Sequence, residues 1–234
     1  MIDRNEIIRA FVLSGDSDFF AARAFVERHG FDIRKDGPDL IRFCLDGAER
    51  DLPEAQHALS KFMSAGIFGK IDRKEALKWA IRAEQQGYLP ARYLLSTMYG
   101  DPSYEVADGR RRAIDMLKRA AQEDYAPALR TLGVMYLTGS DLELDSARGY
   151  SYLERAASGR DPYALLMIGR MLLEASEKEL YPRALAMIEE AAKHRFPSAL
   201  RQLAQFHRYG LYGLERNESL ATALTEEAEK IEKG

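Results

Sequence analysis

From Pro53 to the C-terminus the chain carries two combs of alanine that stay in phase with each other. Ala55, Ala91, Ala128, Ala164 and Ala199 step by 36, 37, 36 and 35 residues. Ala83, Ala120, Ala156, Ala191 and Ala228 step by 37, 36, 35 and 37. Pro53, Pro90, Pro127, Pro162 and Pro197, five of the eight prolines, stand one or two residues before the first comb. A period of this length implies one supersecondary unit repeated, each copy burying its apolar face against the next. The spacing predicts stacked helix hairpins and excludes an ordinary mixed α/β core.

Each copy has the same internal logic. Proline near a first helical position removes an N–H that has no intrahelical acceptor. Apolar residues then follow at offsets 0, +4 and +8 from the first alanine, as in Ala128, Leu132 and Tyr136, which is the buried seam of a first helix, helix A. Glycine at +11 (Gly66, Gly139, Gly210) ends helix A. Asp72, Asp108 and Asp145 stand where the N-cap of a second helix, helix B, is expected. Helix B buries small residues where the helices cross, for example Ala113, Leu117, Ala120 and Ala121. Two copies depart at the turn. The second has Asp101-Pro102-Ser103-Tyr104-Glu105 there, and the fourth has Ala175 for the turn glycine and no aspartate cap. The final helix is expected over 217–233, with Leu220, Leu224, Ala228 and Ile231 on one face.

The copy that starts at Ala126 carries Leu132, Gly133, Tyr136, Gly139, Asp145, Gly149, Tyr152 and the Ala156-Ala157 pair. The copy before it by two periods adds Asp72, Lys74, Glu75, Ala76, Trp79, Ala83 and Gly87, though Ser60 and Met63 replace the usual glycine and tyrosine. This pattern resembles the Sel1-like repeat, a relative of the tetratricopeptide repeat. The resemblance implies an all-α fold, an α/α superhelix that winds as a right-handed solenoid of helix hairpins. It also implies a surface that binds other proteins and a repeat without built-in chemistry. Five copies are expected, at about 53–88, 89–125, 126–160, 161–196 and 197–234. Residues 1–52 read as a helical N-terminal cap with a degenerate repeat. Its stretches are Ile7–Val12, Asp18–Arg28 and Asp39–Arg50, the last with Ile41, Cys44, Leu45 and Ala48 on one face.

Composition narrows the function. The net charge of −3 is too small to argue for nucleic acid or a membrane surface. No stretch approaches the roughly 18–20 apolar residues that span a bilayer. The N-terminus lacks the pattern of a signal peptide, and the single cysteine excludes an internal disulfide framework, so a cytoplasmic location is expected. Catalytic signatures are missing: no Gly-x-Ser-x-Gly, no His-Glu-x-x-His, no phosphate-binding glycine loop and no dinucleotide fingerprint. His29, His57, His194 and His207 lack metal-ligand spacing. Asp141, Glu143 and Asp145 fail as a calcium loop, because Ser146 and Tyr152 stand at the glycine and closing glutamate positions. Cys44 reads as a buried small apolar residue, and Trp79, Tyr99 and Tyr136 read as packing aromatics. No cofactor, no metal site and no catalytic residue is expected.

A binding surface is better marked. In a hairpin solenoid helix A lines the concave face. With 0, +4 and +8 in the seam, offsets +2, +6 and +9 should point into the groove. They are His57, Lys61 and Ser64; Tyr93, Thr97 and Gly100; Arg130, Val134 and Leu137; Leu166, Arg170 and Leu173; Arg201, Gln205 and Arg208. Five of these fifteen are Lys or Arg and none is acidic, where 34 basic and 37 acidic residues in 234 predict about two of each. Lys61, Arg130, Arg170, Arg201 and Arg208, with Tyr93 as an amphipathic anchor, therefore form the candidate partner-binding groove, with arginines as carboxylate clamps.

The expected function is a non-catalytic protein-interaction adaptor or scaffold that takes an acidic peptide or protein surface. A stoichiometric inhibitor, such as an immunity protein that neutralises a toxin, is a second form of the same reading. A hydrolase with a site built across repeats is the rival from another class. RNA is disfavoured by the net charge and by the few interleaved aromatics. Homodimerisation through a terminal cap or the convex face stays open.

Overall fold

The computed structural model describes residues 33–66 and 71–233. The stretches expected at Ile7–Val12 and Asp18–Arg28 lie outside the described residues. The described residues form eleven α-helices and no strand. They are α1 (Ile33–Glu49), α2 (Pro53–Ala65), α3 (Arg73–Gln85), α4 (Leu89–Gly100), α5 (Gly109–Gln122), α6 (Ala126–Thr138), α7 (Ser146–Ser158), α8 (Pro162–Glu174), α9 (Tyr181–Lys193), α10 (Pro197–Tyr209) and α11 (Glu218–Lys233). They fall into two compact units, one that ends at Glu123 and one that runs from Asp124. Within each unit every helix packs on the next in sequence, the arrangement of a solenoid of hairpins. Helix A of the five copies is α2, α4, α6, α8 and α10, and helix B is α3, α5, α7, α9 and α11.

The combs are the core. All ten comb alanines are buried. In the first unit Cys44, Ala48, Ala55, Leu59 and Phe62 form one cluster, and Ala76, Ala80, Leu95, Met98 and Tyr99 belong to the next. In the second unit Leu132, Leu153, Ile168 and Ile188 are fully enclosed. Offset +5 is small in every copy (Ser60, Ser96, Gly133, Gly169, Ala204) because helix B crosses there. A Cβ at Gly169 would stand 3.0 Å from the carbonyl oxygen of Ala184. In the first copy the Ser60 hydroxyl instead donates to the Ala76 carbonyl at 2.7 Å, so a buried polar group is satisfied at the crossing.

The turns follow the sequence with two exceptions. Gly66, Gly139 and Gly210 take left-handed φ of 62°, 70° and 65° behind α2, α6 and α10. Asp72 and Asp145 cap α3 and α7, accepting from the N–H groups of Glu75 and Arg148 at 3.0 Å each. Asp108 does not cap α5: it sits at φ 53° with no side-chain cap bond. The five-residue insert uses its own cap, Asp101, which accepts from Ser103 N–H at 2.8 Å and starts a 3-10 turn over Pro102–Tyr104. In the fourth copy Ala175 stays in the right-handed region, Ser176 carries the left-handed φ (59°), and a 3-10 turn at Lys178–Leu180 leads into α9. In α11, Asn217 is the cap, accepting from Leu220 N–H at 2.9 Å. Ala221 rather than Leu220 enters the core, and Leu220 is exposed.

Every hairpin joins the next through one residue with positive φ: Asp51, Gly87, Asp124, Arg160 and Arg195, between 55° and 80°. Only one of the five is glycine.

Candidate partner-binding face

The buried arc of helix A is wider than offsets 0, +4 and +8. Offset +1 is buried in all five copies (Gln56, Arg92, Leu129, Leu165, Leu200), as is +5. Helix A packs on its own helix B and on the neighbouring hairpin, so the seam turns toward +1 and +5. Offset +2 therefore lies at the margin of the seam. His57 and Leu166 are buried there, and Leu173 is buried at +9, against the expectation that these offsets open into a groove. Offset +6 faces outward more consistently: Thr97, Arg170 and Gln205 are exposed, and Lys61 and Val134 are half-buried.

In the first unit Lys61 on α2 and Tyr93 on α4 are both half-buried. In the second unit the four predicted arginines sit on α6, α8 and α10. Arg170 is exposed. The other three already hold carboxylates of this chain. Arg130 reaches Asp161 at 3.2 Å, Arg208 reaches Glu218 at 3.0 Å, and Arg201 takes Glu232 with both guanidinium nitrogens. The guanidinium of Arg130 also lies 4.5 Å over the ring of Tyr163, which packs against Phe196 with ring centroids 4.3 Å apart. Asp161 is buried and caps α8 by accepting from Ala164 N–H at 2.8 Å. Burial pushes its carboxyl above the ordinary aspartate range; Arg130 and the N–H groups of Ala164 and Tyr163 pull the other way without cancelling it.

The sequence alone does not single out Asp161 or Tyr163. Their signal is local, an Asp-Pro-Tyr run at the entry of a repeat, and it reads first as a helix start. The result on α6 and α8 is an arginine held between a buried carboxylate and a partly exposed aromatic, a geometry suited to a planar carboxylate or an aromatic side chain.

Cys44 is enclosed by α1 and α2, and burial pushes its thiol up to about 12. Among the described residues no group of three or more His, Cys, Asp or Glu is placed to hold a metal ion. None of the described helices is long and apolar enough to cross a membrane.

The family model of the Sel1 repeat matches residues 53–88, 89–125, 126–161 and 197–229, together more than half of the chain. The chain belongs to the Sel1 repeat family. The copy that the model passes over, 162–196, has Ala175 for the turn glycine and no aspartate cap, yet its α8–α9 hairpin packs in the same order as the other Sel1 hairpins. Among solved structures, a Sel1 repeat protein from Oxalobacter formigenes is 21% identical with a TM-score of 0.72, over 97% of this chain and 86% of that one. The immunity protein Pa5087 from Pseudomonas aeruginosa is 21% identical with a TM-score of 0.61, over 82% of this chain and 74% of its own. The immunity protein PA5088 from the same organism is 19% identical with a TM-score of 0.64, over 83% and 73%. At these identities the likeness is one of fold. No curated protein matches this chain.

Proposed function

We propose that this Sel1 repeat protein is a non-catalytic adaptor that binds an acidic protein segment on the outward A-helix faces within one unit. The observation that supports it most is the charge of those faces: Lys61, Arg130, Arg170, Arg201 and Arg208 with no acid at the same offsets. In the second unit Arg170 is exposed; in the first, taken by itself, Tyr93 is the amphipathic anchor that goes with Lys61. An incoming carboxylate competes with Glu218 for Arg208 and with Glu232 for Arg201. Both internal pairs are partly exposed, so their exchange costs little. The test is capture of a partner from the native extract by the wild type and by a folded Arg130→Glu, Arg170→Glu, Arg201→Glu variant, followed by titration of the purified pair. Equal affinity for both proteins rejects the A-helix face.

A second reading, a stoichiometric inhibitor, is favoured by the likeness to two immunity proteins. Here the captured partner, expressed alone, arrests growth, and co-expression of this chain at equal level restores it. Restoration at far below one chain per partner would point instead to turnover.

A further inference from the structure

We infer that the outward face of α5, in the first unit, is a second docking surface for an acidic protein segment, separate from the A-helix faces. Helix α5 contains five basic residues and one acid, Asp115, within Gly109–Gln122, in a chain whose net charge is −3. Its buried side is Ala113, Leu117, Ala120 and Ala121. The opposite side presents Arg111, Arg112, Lys118 and Arg119, all exposed. The neighbouring B-helix of the unit, α3, adds to the same sign with four basic residues against two acidic ones. Within the chain Arg111 pairs with Asp108 at 3.3 Å and Arg119 with Glu84 at 3.2 Å, while Asp115 stands one turn from each of the four, so cations still outnumber carboxylates on this face.

The face is shaped as well as charged. A shallow open depression runs along Arg112, Asp115, Met116, Lys118 and Arg119, all on α5. Met116 is half-buried in it and offers an apolar floor. Two cations are oriented in advance. Arg112 lies 4.3 Å over the Tyr99 ring and donates to its hydroxyl at 3.1 Å, and Arg119 donates to Glu84 at 3.2 Å. Fixed guanidinium groups lose less freedom when they accept a carboxylate.

The chemistry selects a protein segment over other polyanions. Helix α5 has no aromatic side chain on which a base could stack, and Asp115 stands inside the cation cluster. The outward side has no exposed large apolar residue to enter a bilayer. A segment that alternates carboxylates with an aliphatic residue satisfies both the cations and Met116.

The test uses the full chain and a short fluorescein-labelled peptide of Glu-Glu-Leu-Glu repeats, with binding followed by anisotropy at low and raised sodium chloride. The wild type is expected to bind, more weakly as salt rises. Arg111→Glu with Lys118→Glu is expected to weaken binding about tenfold or more. A variant of the same charge change elsewhere, Arg216→Glu with Lys230→Glu, is expected to bind like wild type. Thermal melts verify that all three are folded. Failure of the wild type to bind overturns the proposal, as does equal loss in the two variants. Displacement of the peptide by a DNA oligonucleotide or by anionic vesicles at lower concentration overturns it too, by assigning the face to a polyanion. None of these substitutions touches the A-helix arginines, so this result and the one for the adaptor face fail or succeed separately.

Discussion

Gly133 on α6 and Gly149 on α7 are reciprocal spacers. A Cβ added at Gly133 would stand 3.0 Å from the carbonyl oxygen of Gly149, and one added at Gly149 would stand 2.9 Å from that of Gly133. The two backbones touch without side chains between them, and Leu153 and Leu137 close over the contact from either side.

Gly149→Ala is therefore expected to destabilise the second unit by about 1–3 kcal/mol, since overpacking outweighs the gain of about 1 kcal/mol in helix propensity. Gly100 at the end of α4 is the contrast, because the nearest atom to its added Cβ, on Ala113, is 3.7 Å away. Gly100→Ala is expected to be neutral or to raise stability. Urea midpoints of the two variants against wild type check both signs.

Cys44 is the one cysteine of the chain and is fully enclosed. With its thiol held up to about 12, almost no thiolate is present near neutral pH. A thiol-specific chromogenic disulfide is expected to leave the native protein unlabelled and to label one equivalent in urea. Rapid labelling without denaturant would show that α1 opens from α2.

Asp161 gives a pH signature. Its native pKa is raised by burial, so the folded state keeps this proton to higher pH than the unfolded chain. Stability from this group is present below the ordinary aspartate value of about 4 and is lost as pH rises through the native value. Asp161→Asn keeps a cap for α8 without the titration. The urea midpoint of the variant relative to wild type is expected to rise with pH across this window. A relative midpoint that falls with pH would mean that the Arg130 ion pair outweighs burial.

Arg92 is buried at offset +1 and bridges two carboxylates, Glu84 at 3.0 Å and Glu123, while Glu84 also receives Arg119. Arg92→Ala leaves Glu84 enclosed with only Arg119 as a partner. The expected cost is about 2–4 kcal/mol. Arg92→Leu combined with Glu84→Leu is expected to recover part of it, read from the same denaturation curves.

The repeat and the seam at 0, +4 and +8 were legible because each is a local pattern multiplied by five, and the left-handed glycines behind α2, α6 and α10 because they recur in three copies. The side of helix A turned to the partner was only half legible. The burial of His57, Leu166 and Leu173 depends on how the next hairpin leans on the seam, and periodicity within one helix does not carry that. The ion pairs were hidden for a similar reason, but they obey a spacing. Arg92–Glu123, Arg130–Asp161, Asp124–Arg155 and Arg201–Glu232 are each 31 residues apart, so opposite charges at that interval were the available signal. Asp108 failed as a cap because the insert before it provides Asp101 and leaves Asp108 in a left-handed turn.

The five junctions with positive φ, at Asp51, Gly87, Asp124, Arg160 and Arg195, have a consequence for how such a chain changes length. Each hairpin begins behind the same backbone hinge and ends at the next one. A tandem duplication or deletion of one whole period restores a positive-φ junction and an alanine seam at the new boundary. The chain can thus grow or shrink by whole periods with each new neighbour meeting the same packing pattern.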